Sequence, residues 1–323
     1  MNKTITKFHN LINHKIENIN LNLEPREIYE PLKYMMSLKS KRFRPTLTMM
    51  SYNLFKDDLE SIIKPAIAIE FFHNFTLIHD DIMDDAEIRR GNDTIHKKWN
   101  KNIGILSGDL LMIFSYKMLG DLSTKKFKDV LIRFNEISIK VCEGQQYDMN
   151  YENDKVIKEK QYLEMIKLKT AVLIGFSLEL GGIIGSSSTR TSKALYNIGE
   201  YMGMAFQLKD DYLDVFGSDR FGKKIGGDII LNKKTYLLIK LIEKAEKDDL
   251  SKIDYWIENV KEPDKKVKNI TDMMKRNNID VITEKKINTY FNKGFQLLDN
   301  LSSEGFDTKL LRNYFAMIMK RKV

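Results

Sequence analysis

The stretch LIHDDIMDDAEIRRG at 77–91 places five acids, Asp80, Asp81, Asp84, Asp85 and Glu87, ahead of two arginines and a glycine. On a helix, residues three and four apart share a face, so Asp80 and Asp84 project together while Asp81 lies about 100° around. Like charges so placed repel, and the arrangement gains only when a cation sits between them. Taken alone, DDxxD reads equally well as a solvated acidic face or as a metal site.

A second DDxxD occurs in FQLKDDYLD at 206–214, with Gln207 three residues ahead of Asp210 and so on the same helical face. Two such clusters weaken the purely solvated reading of either. Hard divalent ions of the Mg²⁺ kind take carboxylate oxygens and leave their remaining positions to water and substrate phosphate. Cationic groups suited to that phosphate stand in KSKRFRP at 39–45, in Arg89-Arg90, in KLKTAVLIG at 167–175 and in KKIGGDIILNKKT at 223–235. Each of these alone is most simply a solvated charge.

The elements that must position these residues read as helices. Five prolines fall at 25, 31, 45, 65 and 263, leaving 66–262 free of the residue most costly in a helix interior. Apolar residues recur at three- and four-residue spacing, as in Ile67, Phe71, Phe75, Ile78 and in Leu110, Phe114, Met118. No Asn-Gly type hairpin signal separates alternating runs. The expectation is an all-α chain with loops near 91–102, 150–158, 185–193 and 217–232, a charge-rich amphipathic region at 244–290, and no composition shift that marks a domain boundary.

At 323 residues, 42% hydrophobic and 30% charged, the chain is long enough for a large core and too apolar for general disorder. Its one cysteine, Cys142, excludes an intramolecular disulfide and is expected to be a buried small apolar residue in a reducing compartment. The amino terminus lacks a signal-peptide core, and the most apolar stretch, AVLIGFSLELGGIIG at 171–185, is interrupted by Glu179 and too short for a transmembrane segment. A cytoplasmic location is expected. The formal charge of +8 points to anionic partners. No zinc, helix-turn-helix or aromatic-basic motif supports nucleic acid as one of them.

Taken jointly, KRFRP, HNFTLIHDDIMD, RRG, TIH, SGDLL, EGQQYD, LKT, FQLKDDYLD and NKKT stand in an order that resembles the trans-isoprenyl diphosphate synthase (polyprenyl synthetase) family, which includes farnesyl and geranylgeranyl diphosphate synthases. The resemblance runs from about residue 41 to 235. It implies an all-α, isoprenoid synthase type fold, a single domain over 1–323 of long antiparallel helices around a central cavity, normally a homodimer. The implied activity is head-to-tail condensation of isopentenyl diphosphate with allylic diphosphates.

By matching position, the resemblance makes Asp80, Asp84 and Asp210 the principal metal ligands, with Asp81, Asp211 and Asp214 completing the acidic rim. It assigns the allylic diphosphate to the metals and to Arg89, Lys169, Gln207 and Lys224, with Lys233 also facing the site. Isopentenyl diphosphate is expected against Lys41, Arg44, His73 and Arg90. Three Mg²⁺ per active site are implied, with Mn²⁺ able to substitute. The carbonyl near Lys169-Thr170 and the Gln207 amide are expected to stabilise the carbocation left when the allylic C–O bond breaks. Gly91 is expected to let the first acidic helix end.

Three departures stand out: Lys39-Ser40 replaces the glycine pair usual before the first lysine, Asp93 replaces the proline of the RRG-x-P-T-x-H pattern, and Asn232 replaces a frequent glycine. A terpene cyclase of the same fold needs neither KRFRP nor a second DDxxD, and a silent regulatory subunit usually loses acids from motifs that here keep all six. Product length is expected from Phe75, five residues before Asp80 and just over one turn deeper. An aromatic there, with small Thr76 beside it, resembles archaeal-type geranylgeranyl synthases. A C20 product is therefore expected first, C15 second and a longer chain third, while Phe71 and Phe72 are expected to pack in the core.

Overall fold

The computed structural model describes residues 3–154, 156–217, 225–258, 260 and 262–320. In chain order the elements are α1 (Lys3–Glu17), α2 (Arg26–Ser37), α3 (Phe43–Tyr52), α4 (Glu60–Met83), β1 (Ile88–Arg89), β2 (Asn92–Asp93), α5 (Ile95–Lys98), α6 (Lys101–Leu119), α7 (Thr124–Asn153) and α8 (Glu159–Ile166). A π-helical turn, Lys167–Ala171, follows. Then come α9 (Val172–Gly185), α10 (Thr189–Phe216), α11 (Gly227–Ile230), α12 (Tyr236–Lys244), α13 (Lys247–Glu258), α14 (Pro263–Arg276), α15 (Ile279–Ser303) and α16 (Lys309–Met319).

The chain divides into two compact units, Met1–Asn135 with Phe176–Leu195, and Glu136–Gly175 with Tyr196–Val323. In the first, α4 is apolar on every side, burying Ile62, Ile67, Ile69, Phe71, Phe72, Phe75 and Ile78, as a helix surrounded by others must. It packs on α1, α3 and α6. Phe71 meets Phe114 edge-on at 6.0 Å, Phe72 meets Phe134 at 5.1 Å, and Phe134 stacks on Phe176. Burying each such ring stabilises the unit by about 2 kcal/mol. The core role expected of Phe71 and Phe72 is therefore observed. α1 contributes one stripe, Ile5, Phe8, Ile12 and Ile16, at helical spacing.

Two local expectations need correction. α4 ends at Met83, where the Asp84 N–H donates to the Asp80 carbonyl, so Gly91 does not end it. Gly91 instead forms, with Arg90, the two-residue turn of a short antiparallel hairpin in which Ile88 pairs with Asp93 and Arg89 with Asn92. Both turn residues have positive φ, 55° and 78°, the primed geometry that suits a tight hairpin. The sequence signal was missed because Arg, not Asn, takes the first left-handed position. Cys142, expected in the core, is exposed.

In the second unit, the amphipathic faces of α12, α14 and their neighbours close around Leu237, Leu241, Ile253, Ile270, Met273 and Ile279. Most of the charged side chains described in 244–290 remain outside, as the pattern predicts, but Lys266 is buried. α7 comes against the π-helical turn at Gly144, where an added Cβ would lie 2.2 Å from the Lys169 backbone nitrogen. Only glycine allows that approach. Among the described residues, one helical stretch, residues 159–185, is long and apolar enough to cross a membrane, and 83% of its apolar window is buried inside the protein.

Candidate active site

The predicted residues fall into two groups, each within one unit. In the first unit, α4 carries His73, Asp80 and Asp81, with Asp84 at its C-terminal cap, and the hairpin carries Arg89 and Arg90. The two acids of DDIMD nearest each other in sequence have different environments. Asp81 is buried, and Arg89 grips it through Nε at 2.7 and 2.8 Å and Nη2 at 2.6 Å. Burial lifts the Asp81 carboxyl above its usual range despite that partner. Asp80 is half-buried, 3.9 Å from Arg89 Nη2, and Asp84 is exposed.

His73, seven residues and about 10 Å before Asp80 along the helix, meets Arg44 Nη1 at Nε2, 3.0 Å away. An arginine only donates, so Nε2 accepts and the ring is neutral. Burial, then Arg44, Arg90, Arg89 and Arg42, hold the His73 pKa well below the ordinary histidine value. Arg90 Nη1 is buried with no hydrogen-bond partner. A buried cation with an unanswered donor is costly unless an anion completes it. Lys41 is exposed.

In the second unit, α10 and the π-helical turn carry the remaining groups. The Thr170 hydroxyl donates to Gln207 Oε1 at 3.1 Å, and Gln207 Nε2 donates to Asp211 Oδ1 at 3.0 Å. The buried Tyr162 hydroxyl donates to the other Asp211 oxygen. Asp211 is pushed up to about 7 by burial and by Asp228, with Tyr162 and Gln207 pulling the other way. Asp214 Oδ2 accepts the Asp228 N–H at 2.9 Å, tying it to α11. Asp210 is exposed. Lys169 pairs with Asp148 at 2.6 Å, and the Lys233 N–H donates to the Asp228 carbonyl. Lys224 lies outside the described residues.

Asp81 and Asp211 are thus buried, Asp80 and Asp214 half-buried, and Asp84 and Asp210 exposed. Carboxylates are hard oxygen donors of the kind Mg²⁺ takes. Among the described residues, no three or more His, Cys, Asp or Glu side chains form a ready-made metal cage. The donor set fits an ion whose coordination is completed by water and substrate oxygens.

The polyprenyl synthetase family model matches residues 25–274. The chain belongs to that family. This trans-prenyltransferase is 38% identical over 237 residues to the geranylgeranyl pyrophosphate synthase of Geoglobus acetivorans, covering 73% of this chain and 74% of the relative. It is 34% identical over 251 residues to the short chain isoprenyl diphosphate synthase of Methanocaldococcus jannaschii, covering 77% and 76%. A crystal structure of a geranylgeranyl pyrophosphate synthase superposes with a TM-score of 0.93 at 36% identity, covering 100% of both chains. The all-α fold is therefore that of these synthases.

Sequence reasoning about the prenyltransferase missed three groups that hold its predicted residues, Asp148, Tyr162 and Asp228, and a fourth, Glu70, that holds Arg42 and Ser40. Asp148 had a signal, since it closes the EGQQYD motif. Glu70 had one too, as a lone acid inside the apolar run IAIEFF. Tyr162 and Asp228 carried none, because their importance comes only from which side chain they meet.

Proposed function

We propose that this chain condenses isopentenyl diphosphate with allylic diphosphates head to tail, acting as one domain over residues 1–323 and making mainly geranylgeranyl diphosphate, C20. The names of the relatives support the C20 product. A C15 product ranks second and a longer chain third. The observation that carries the chemistry is the arginine group around neutral His73, with an unanswered buried donor on Arg90, on the helix that ends in the Asp80–Asp84 pair. It suits a diphosphate next to a metal-binding carboxylate pair.

In this reading Asp80, Asp84 and Asp210 hold Mg²⁺, three ions per active site, with Mn²⁺ able to replace them. When bound, the ions neutralise charge developing on the departing diphosphate. Arg89, Lys169, Gln207, Lys224 and Lys233 hold the allylic diphosphate. Asp81 fixes the Arg89 fork and Asp148 fixes Lys169, so neither cation has to be reorganised as the C–O bond breaks. Lys41, Arg44, His73 and Arg90 hold isopentenyl diphosphate. His73, being a neutral acceptor, orients Arg44 without competing for the anion.

The allylic C–O bond breaks to give an allylic cation and diphosphate. The double bond of isopentenyl diphosphate then forms the new C–C bond, and a proton leaves to the departed diphosphate. Gln207 accepts from Thr170 and donates to Asp211, so its amide is oriented before substrate arrives and its carbonyl end faces the Lys169-Thr170 turn. That carbonyl dipole and the neighbouring backbone stabilise the cation, and exclusion of water protects it.

The exposed apolar residues Ile105, Leu106 and Ile113 on α6 support a homodimer, and the cytoplasm is the proposed location. The decisive experiment incubates labelled isopentenyl diphosphate and Mg²⁺ with each short allylic diphosphate, then separates the dephosphorylated products. A main C20 alcohol is expected. Absence of elongation from every primer would overturn the assignment.

A further inference from the structure

The turn that precedes α3 carries Lys41 and leads directly to Arg44 in the first turn of α3, two of the isopentenyl diphosphate contacts proposed above, yet the turn's sequence lacks glycine. Arg42 nevertheless adopts a left-handed backbone, φ 44° and ψ 42°, at the cap of α3. Non-glycine residues hold that conformation only when their surroundings impose it.

The surroundings are an ion-pair cage. Arg42 Nη1 donates to Glu70 Oε1 at 2.7 Å, Nη2 to the Met36 carbonyl at 2.6 Å and Nε to Asn13 Oδ1 of α1 at 3.1 Å. The Arg42 and Glu70 side chains are 5% and 1% exposed. Arg42 is therefore fully committed inside the protein and is not itself presented to substrate. Ser40 completes the cage, because its hydroxyl donates to Glu70 Oε1 and accepts the Arg42 N–H, both at 3.3 Å. One buried carboxylate oxygen thus holds both the Arg42 side chain and the Ser40 hydroxyl two residues before it. On either side of Arg42, Lys41 is exposed, while Arg44 is half-buried and turns to His73.

We propose that Glu70 is a positioning residue for the isopentenyl diphosphate contacts, acting through Arg42 and Ser40 to fix the turn that aims Lys41 and Arg44. The inference rests on the substrate assignment made above. It is chemically separate from the metal side, since Glu70 lies ten residues before Asp80 on α4 and spends its carboxylate on the Arg42 turn.

The test compares wild type, Ser40→Ala and Glu70→Gln. Ser40→Ala deletes one hydroxyl at a half-buried position and leaves the buried ion pair intact, so it remains informative where loss of the Glu70 charge unfolds the protein. Michaelis constants for isopentenyl diphosphate and for the allylic primer are measured with thermal melting and circular dichroism on the same samples. Ser40→Ala is expected to raise the isopentenyl diphosphate constant roughly fivefold to tenfold, and folded Glu70→Gln by more, with the allylic constant changed less than about twofold. Equal changes in both constants, or none in Ser40→Ala, would overturn the positioning role while wild-type turnover leaves the prenyl-transfer assignment standing. An inactive wild type instead removes the assignment itself.

Discussion

The Lys169 ammonium lies 2.6 Å from the Asp148 carboxylate, joining the π-helical turn to α7 where Gly144 admits the turn's backbone. An extra residue in a helical turn displaces the side chains that follow it, and such turns recur at functional sites. Here the lysine of that turn, a proposed diphosphate contact, is paired with an acid. Asp148→Asn is expected to keep the fold while releasing Lys169 from its charge partner. Catalytic efficiency with the allylic substrate should fall about tenfold, the scale of one misoriented charge contact, and the isopentenyl diphosphate constant should stay within twofold. Unchanged allylic kinetics would make the pair a structural tie only.

The buried Asp81 and the proposed metal ligands predict two mutant classes. Asp80→Ala or Asp210→Ala removes a proposed metal ligand, and turnover should drop at least a hundredfold, on the order of 3 kcal/mol of lost stabilisation. Asp81→Asn leaves the buried Arg89 fork without its counter-charge, so melting temperature should fall with turnover. Turnover across a Mg²⁺ titration, beside thermal melts, distinguishes the classes. Near-normal turnover by Asp80→Ala protein would remove the metal mechanism.

Much of this was legible in the sequence because DDxxD, KRFRP, RRG and FQ place like or opposite charges at fixed helical offsets, and helical offsets survive folding. The proline-free stretch and the apolar spacing made the helices legible for the same reason. What the sequence hid were relationships made by packing. The Arg42 cage joins residues 13, 36, 40, 42 and 70, and no local period connects them. The hairpin at 88–93 was hidden because its turn uses arginine in a conformation that propensity assigns to Asn or Gly. The π-helical turn depends on α7 approaching at Gly144, which is a tertiary fact.

Away from both motifs, Glu159 offers a stability test with a defined sign. Lys240 approaches one of its oxygens at 2.5 Å and Lys286 the other at 2.6 Å. Burial alone would raise the Glu159 pKa, but the two lysines outweigh it and hold the value below the ordinary 4.5. A carboxylate with a depressed folded pKa stabilises the fold above its unfolded value, and that contribution is lost as pH falls through the folded value. The side chain is 27% exposed, so solvent screening keeps the effect small. Glu159→Gln should cost about 1 kcal/mol near neutral pH, with the gap to wild type closing as pH falls below 4.5. Urea unfolding at several pH values measures it. A gap that persists in strong acid would assign the effect to packing.

Phe75 is the proposed limit on product length. The ring is 8% exposed, against Phe72 at 5.5 Å and edge-on to His79 at 4.8 Å, one turn from the Asp80–Asp84 pair on α4. If the growing chain runs down this helix away from the acids, the Phe75 ring is the first large obstacle it meets and sets the C20 limit. Beneath it, Phe71 and Phe72 are fully buried and held by Phe114 and Phe134, so they form a wall that a tail cannot push aside. Phe75→Ala should therefore lengthen the main product by one or two isoprene units rather than without limit. The same change leaves a cavity that costs about 3 kcal/mol or more, so Phe75→Leu serves as the better-folded companion and should lengthen the product less. Both are compared with wild type at identical substrate ratios by chromatography of the dephosphorylated alcohols. Unchanged lengths in folded Phe75→Ala protein would move the limiting residue to Met112 or Phe114 on α6, where the same measurement on Met112→Ala decides between them.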